Sequence, residues 1–250
     1  LVGLLNGDKI ELKDKEQTDK LATKLEKAGY AVLAVRQKRI PRQPAPPFIT
    51  STLQQEAWRK FRFSAKQTMS IAQQLYEGLP LGKAGHVGLI TYMRTDSTTV
   101  SASALAEARA YISEKYGADY LPPAPRRFAK KVKGAQEAHE AIRPTSVHRE
   151  PEQIAGYLTA EQRKLYTLIW QRMVASQMAA AQIDTTTVDI EARALKDKYL
   201  FRAASSAIAF PGFLTLYQES KDEDENGEKK NKLPELVKGE KLRLLQLIPE

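Results

Sequence analysis

The chain has 250 residues, no cysteine and a formal net charge of +9 at pH 7. That length accommodates one large domain or two small ones, and the lack of cysteine excludes disulfides and thiolate metal sites, as expected of a reducing compartment. No apolar run approaches the ~20 residues of a membrane span and no secretory leader pattern opens the chain, so the expectation is a cytoplasmic protein with no membrane partner.

The first residue is Leu1 rather than Met, and Leu1-Val-Gly-Leu-Leu-Asn reads as a strand entered midway, which predicts a piece of a longer protein. A strand signal there is followed by a helix from about Lys15 to Gly29, with Leu21, Ala22 and Leu25 on one stripe and Gly29 as its C-cap. Tyr30-Ala-Val-Leu-Ala-Val-Arg follows as a strand. Pro41, Pro44, Pro46 and Pro47 then fall within seven residues, too proline-rich for a helix or a central strand, and are expected to form a semi-rigid linker at a domain boundary.

From Ser51 the pattern turns helical. Ser51 with Gln54, Ser64 with Gln67 and Thr159 with Gln162 have capping-box spacing, predicting helices over about 52–61, 65–77 and 160–181. Arg62-Phe63 is a tight turn between the first two, and a strand follows. Helix, turn, helix, strand is the order of a winged-helix unit.

That strand contains Gly88-Leu-Ile-Thr-Tyr-Met-Arg-Thr-Asp-Ser-Thr98, an apolar run ending abruptly in Tyr92 and a polar cluster. In an extended chain Tyr92 and Arg94, two apart, share a face. A guanidinium beside a phenol favours the phenolate and can also hold a phosphate oxygen, the pairing a tyrosine nucleophile attacking a phosphodiester requires. By spacing alone an amphipathic strand end with a surface charge is the commoner source of such a pair. The charge distribution favours the first reading: residues 51–181 hold 18 Lys and Arg against 11 Asp and Glu, whereas the two flanks hold 21 against 19. A polyanionic partner is therefore expected around Tyr92.

Further along, Ser101 opens a helix ending at Gly117, and Arg126, Arg127, Lys130, Lys131 and Lys133 form a basic loop, either plainly solvated or tracking phosphates. Ala138-His139-Glu140-Ala141-Ile142-Arg143 predicts a short helix stopping near Pro144, with His139 and Arg143 on one face. His86 and His148 suggest only structural roles. The 160–181 helix carries a core stripe of Leu165, Leu168, Ile169, Met173 and Met178. Past it, Thr185–Ile190, Tyr199–Phe201, Gly212–Tyr217 and Lys241–Ile248 read as strands, and the Asp222–Lys230 run reads as a solvated loop tip rather than a metal loop. The fold class is thus α+β: residues 1–49 and 182–250 form a discontinuous β-rich domain, interrupted by a mainly helical domain over 50–181.

The eleven residues from Gly88 to Thr98 closely resemble the active-site signature of type IA DNA topoisomerases. Gln136-Glu-Ala-His-Glu-Ala-Ile-Arg-Pro-Thr145 resembles that family's second signature, and Pro47-Phe-Ile-Thr-Ser-Thr-Leu-Gln-Gln55 the segment leading into its tyrosine domain. The resemblance implies a β-rich arch with the tyrosine domain inserted in it. It also implies that Tyr92 cuts one DNA strand through a 5′-phosphotyrosine intermediate, lets a strand pass and reseals the break. Arg94 and His139 would then hold the scissile phosphate, with Thr91, Thr95, Asp96, Ser97 and Arg143 as further DNA contacts. Mg2+ would be held by a metal-binding domain outside these residues, so no metal ligand is assigned here. DNA, single-stranded at the cut, and the rest of the same polypeptide are the implied partners of a monomer associated with the nucleoid. The Pro41–Pro47 segment and the return near Ala181 would be hinges of the gate. The rival reading is a non-catalytic winged-helix module in which Tyr92 stacks on a base of single-stranded DNA.

Overall fold

The structure is a computed structural model describing residues 2–5, 8–9, 14–128, 140–220 and 233–248. His139, Lys130, Lys131, Lys133 and the Asp222–Lys230 run lie outside the described residues. The chain divides into two compact units, one from residues 1–40, 182–209 and 228–250, the other from residues 41–181 and 210–227.

The first unit is a six-stranded sheet with one helix. Its strands are β1 (Val2–Leu5), β2 (Asp8–Lys9), β3 (Gly29–Arg42), β6 (Ala181–Ala194), β7 (Asp197–Phe210) and β8 (Lys241–Leu242), in the order β2-β1-β7-β6-β3-β8. Helix α1 (Lys15–Glu26) is capped by Asp14, whose carboxylate accepts from Gln17 N–H at 2.8 Å. The helix stops at Glu26 with Lys27 as C-cap, so Gly29 opens β3 instead of closing the helix.

Leu25 seals a small core with Ala192 and Tyr199, flanked by Leu21, Tyr30 and Phe201. Beyond it the long strands are lightly covered: of the fourteen residues of β3 only Val32 is buried. Cross-strand ion pairs take over there. Arg39 holds Asp184 through two hydrogen bonds of 2.6 and 2.8 Å, and buried Asp189 is bracketed by Arg36 and by Arg202, the latter at 2.7 Å. Hydrogen bonding and charge from Arg202, reinforced by Arg36, outweigh burial and hold the Asp189 carboxyl below the ordinary range.

The second unit is helical. It contains α2 (Thr50–Phe61), α3 (Ala65–Glu77), the short hairpin of β4 (Leu79–Pro80) and β5 (His86–Val87), α4 (Ala102–Tyr116) and α5 (Ala160–Ser176). Central α5 buries Leu165, Leu168, Ile169 and Met173 against α2 and α3. The caps at Ser64, Ser101 and Thr159 form as their sequences dictate, and Thr159 with Gln162 makes the full reciprocal box.

Several expectations change here. The helix predicted over 160–181 ends at Ser176, with Ala181 opening β6, and of the strand predicted over Lys241–Ile248 only Lys241–Leu242 forms. Helix α2 is capped at Ile49, whose N–H donates to Thr52 Oγ1 at 3.1 Å; Thr50 and Ser51 already lie inside the helix, and the Thr50 hydroxyl bonds the Met93 carbonyl. The stretch from Gly212 to Tyr217 is a 3-10 turn followed by irregular chain, not a strand, and it belongs with the helical unit. Gly212, at φ +50°, lets the chain approach within a space where a Cβ would sit 2.5 Å from the Ala179 carbonyl. Buried Arg172 then fastens the segment, bonding Tyr217 Oη at 3.0 Å and Glu219 at 2.7 Å while Nε donates to the Pro46 carbonyl. Finally, the proline-bearing segment is not wholly linker: β3 continues as far as Arg42 and includes Pro41.

Candidate active site around Tyr92

The hairpin β4–β5 returns the chain from the C-terminal end of α3, and residues 88–99 follow as irregular backbone with bends at Thr91, Met93 and Arg94, not a regular strand. Gly88 is what allows the return to lie so close: a Cβ on it would meet the Tyr76 carbonyl oxygen at 2.8 Å. Leu89 N–H then donates to the Leu75 carbonyl at 2.7 Å, fixing the segment to the end of α3.

Two clamps hold the next residues. On one side, Thr91 N–H donates to the Arg143 carbonyl at 2.9 Å, its Oγ1 donates to the Ala141 carbonyl at 2.6 Å, and Arg143 N–H donates back to that oxygen at 3.0 Å. Thr145 adds bonds to the Leu89 and Gly88 carbonyls. On the other side, Thr50 at the start of α2 is bonded to Thr95 twice: Thr50 N–H donates to the Thr95 carbonyl at 2.9 Å, and Thr95 N–H donates to the Thr50 side-chain Oγ1 at 2.9 Å. The same hydroxyl donates to the Met93 carbonyl at 2.8 Å.

Between the clamps, burial alternates. Met93 and Thr95 point inward at 0% and 7% exposure, while Tyr92, Arg94 and Asp96 face solvent. The two-residue period expected of Tyr92 and Arg94 therefore exists without a strand ladder, on a segment that the clamps hold at both ends. Tyr92 is 46% exposed and meets Tyr76 edge-on, ring centroids 5.4 Å apart. Among the described residues, neither the Tyr92 hydroxyl nor the Arg94 guanidinium has a hydrogen-bond or ion-pair partner, so both remain available to a substrate.

The remaining candidates divide. Thr95 is structural in its contacts, its Oγ1 accepting from Ser97 N–H at 3.0 Å, and Ser97 Oγ accepts from Thr99 N–H at 3.1 Å. Asp96 is exposed. The predicted helix over 138–143 is corrected in its described part: residues 140–144 are extended. Their N–H groups go elsewhere, Ala141 to the Thr99 carbonyl and Ile142 to the Phe48 carbonyl, and bridges pair Ile142 with Phe48 and Pro144 with Ile90. Tertiary pairing overrides the local helical preference.

Arg143 consequently turns inward. Its guanidinium binds Glu140 at 2.6 Å, the Pro144 carbonyl at 3.0 Å and Ser101 Oγ at 3.4 Å, with only 12% of the side chain exposed. Partial burial disfavours the Glu140 anion, but the Arg143 charge and hydrogen bonds from Arg143 and Ser101 prevail and hold its carboxyl below the ordinary range. Glu140 also accepts from Ser101 N–H at 2.6 Å, joining this segment to the start of α4.

Thr50, Tyr76 and Glu140 are contributors that sequence reasoning passed over. Thr50 and Glu140 lie inside the quoted motifs Pro47–Gln55 and Gln136–Thr145, so the signal was present, whereas nothing in the sequence marks Tyr76. Among the described residues no group of three acidic, histidine or cysteine side chains can hold a metal ion, and no helix is long and apolar enough to cross a membrane.

A family model of DNA topoisomerases matches residues 4–249. The chain belongs to the DNA topoisomerase family. Among solved structures, full-length topoisomerase I from Thermotoga maritima is similar, with 36% sequence identity and a TM-score of 0.74. The match covers 97% of this chain and 36% of the Thermotoga chain, so these residues correspond to about a third of that topoisomerase.

Proposed function

We propose that these residues carry the strand-cutting tyrosine of a type IA topoisomerase. The observation that supports this reading best is the pairing of an exposed Tyr92 with an exposed Arg94 on a segment whose intervening residues are buried and clamped at both ends. A nucleophile so held loses little orientational freedom when substrate arrives.

In the proposed reaction the Tyr92 oxygen forms a bond to a backbone phosphorus of one DNA strand as the bond from phosphorus to the 3′ oxygen breaks. The phenolic proton leaves the nucleophile, and the departing 3′ oxygen takes up a proton. Arg94 binds a non-bridging oxygen and offsets the charge that grows on it. The 5′-phosphotyrosine keeps the bond energy of the cut strand, so attack by the 3′ hydroxyl reseals it with no nucleotide cofactor. Arg143, bound to Glu140, acts indirectly by holding the segment that grips Thr91; His139 is proposed as a phosphate contact on the family signature alone.

The α2–turn–α3–hairpin order supports reading the tyrosine unit as a winged-helix variant. Mg2+ is proposed to be held by residues outside this chain, and strand passage to need the remaining domains of the same polypeptide.

The test mixes the protein with a 3′-labelled single-stranded oligonucleotide, with and without the separately made metal-binding part, and looks for a denaturant-resistant adduct. An adduct lost in Tyr92→Phe is expected. DNA binding with no adduct under either condition would replace this reading with a non-catalytic module in which Tyr92 stacks on a base.

A further inference from the structure

The end of α2 and the turn into α3 read Trp58-Arg-Lys-Phe-Arg-Phe63, aromatic rings alternating with cations and no acid among them. Ordinary helix chemistry explains part of this. Cations in a last turn offset the negative end of the helix dipole, and Lys60 lies 3.6 Å from the buried Glu56 carboxylate and donates to the Gln218 carbonyl at 2.8 Å. It does not explain Trp58, whose indole is 53% exposed with the Arg62 guanidinium 5.5 Å from its ring centroid.

Nor does it explain the Arg62 backbone. At φ 59° and ψ 27° it occupies the left-handed C-cap position that glycine fills at least cost. The arginine side chain is kept there against a backbone penalty, an outlier of the kind found where a side chain has work to do. Beside this turn lies a cavity of about 500 Å³ whose wall includes Phe61, Arg163, Lys164 and Leu168, together with Glu152. Lys164 Nζ is 6.0 Å from the Phe61 ring centroid, repeating the pairing of cation with ring.

An exposed indole with cations and a half-buried ring, Phe61, beside it matches unpaired nucleic acid, which offers base faces and phosphates together; a duplex offers mainly phosphates at its surface. We infer that the α2–α3 turn is a second single-stranded nucleic-acid contact, with a base stacked on Trp58 and backbone phosphates against Arg62 and Lys164. It is distinct from the tyrosine site. Thr50 is bound to Met93 and Thr95, and Trp58 lies eight residues further on, about 12 Å along the helix. Only the choice of DNA as the nucleic acid rests on the function proposed above.

The protein supplies its own probe, since Trp170 is 4% exposed with its indole N–H bonded to the Val147 carbonyl, leaving Trp58 as the solvent-facing tryptophan. Binding of an oligothymidylate is measured by tryptophan quenching and by anisotropy of the labelled strand, in a Tyr92→Phe background that prevents covalent capture. We expect quenching, near-unchanged affinity in Trp58→Phe and a loss of about tenfold in Trp58→Ala. Arg62→Gly should reduce the salt slope by about 0.7 while raising the melting temperature, so its weakened binding is not loss of fold.

Unchanged affinity in both Trp58→Ala and Arg62→Gly, or equal affinity for a duplex of the same length, would overturn the inference. The two readings fail separately: an adduct at Tyr92 with no Trp58 effect removes only this one, and Trp58-dependent binding with no adduct removes only the other.

Discussion

Replacing Thr50 by valine tests whether the tyrosine segment is held by its clamps. The substitution keeps the side-chain shape and the backbone bond from Thr50 N–H to the Thr95 carbonyl, but deletes the hydroxyl that accepts from Thr95 N–H and donates to the Met93 carbonyl. Both orphaned groups belong to buried residues, with Met93 at 0% and Thr95 at 7% exposure. At about 1–3 kcal/mol for each unsatisfied buried group, the helical unit should lose about 2–6 kcal/mol. For a unit of this size that lowers the melting midpoint by on the order of 10 °C. Thermal unfolding followed by Trp170 fluorescence reads the unit directly, and Thr50→Ser, which retains the hydroxyl, should recover most of the loss. Below the midpoint, the rate of adduct formation at saturating oligonucleotide should fall while oligonucleotide affinity changes little, because the clamp sets the nucleophile's position and does not itself contact DNA. A midpoint shift of less than about 1 °C in Thr50→Val, or a valine variant with the wild-type adduct rate, would refute the clamp argument.

Gly88→Ala should push residues 88–92 away from the end of α3, since the new methyl would meet the Tyr76 carbonyl oxygen at 2.8 Å; reduced adduct formation accompanied by lower thermal stability is the expected result. Glu140 has a lowered folded-state pKa, so its stabilising contribution is present above the ordinary carboxylate value of about 4.3 and disappears as pH falls through the lower folded value. Melting curves taken from pH 6 to pH 2 should show an acid-induced loss in the helical unit that shrinks in Glu140→Gln. Asp189→Asn removes the shared anion between Arg36 and Arg202, and should cost about 1.5–3 kcal/mol in unfolding of the β unit. Urea melts followed by far-ultraviolet circular dichroism check it.

What the sequence made legible was whatever is decided within a few residues. Ser64, Ser101 and Thr159 cap their helices because the receiving N–H lies three residues on, and α3 runs from Ala65 to Glu77 as its pattern dictates. Tyr92 and Arg94 are both exposed, as their spacing of two predicts. What was illegible depends on partners far along the chain. Residues 140–144 have a helical composition, yet their amides find Thr99, Phe48 and Thr91, between 42 and 94 residues away in sequence, and the helix is lost. Gly212–Tyr217 has strand composition, but Arg172 and the Ala179 carbonyl, which accepts from Phe213 N–H at 3.0 Å, hold it as a turn. The arginine expected to face DNA, Arg143, is neutralised by Glu140, a neighbour whose approach depends on that same extended backbone.

The sheet order has a mechanical consequence. Strands β3, β6 and β7, fourteen residues each, lie side by side in the sheet of the β unit. Three long neighbouring strands joined by their ladder behave as a leaf spring: compliant to bending across its thickness, resistant to shear and to twisting of one strand against the next. A load applied to any one of them would be shared along a ribbon of backbone hydrogen bonds, and its restoring force would scale with the stiffness of that ribbon.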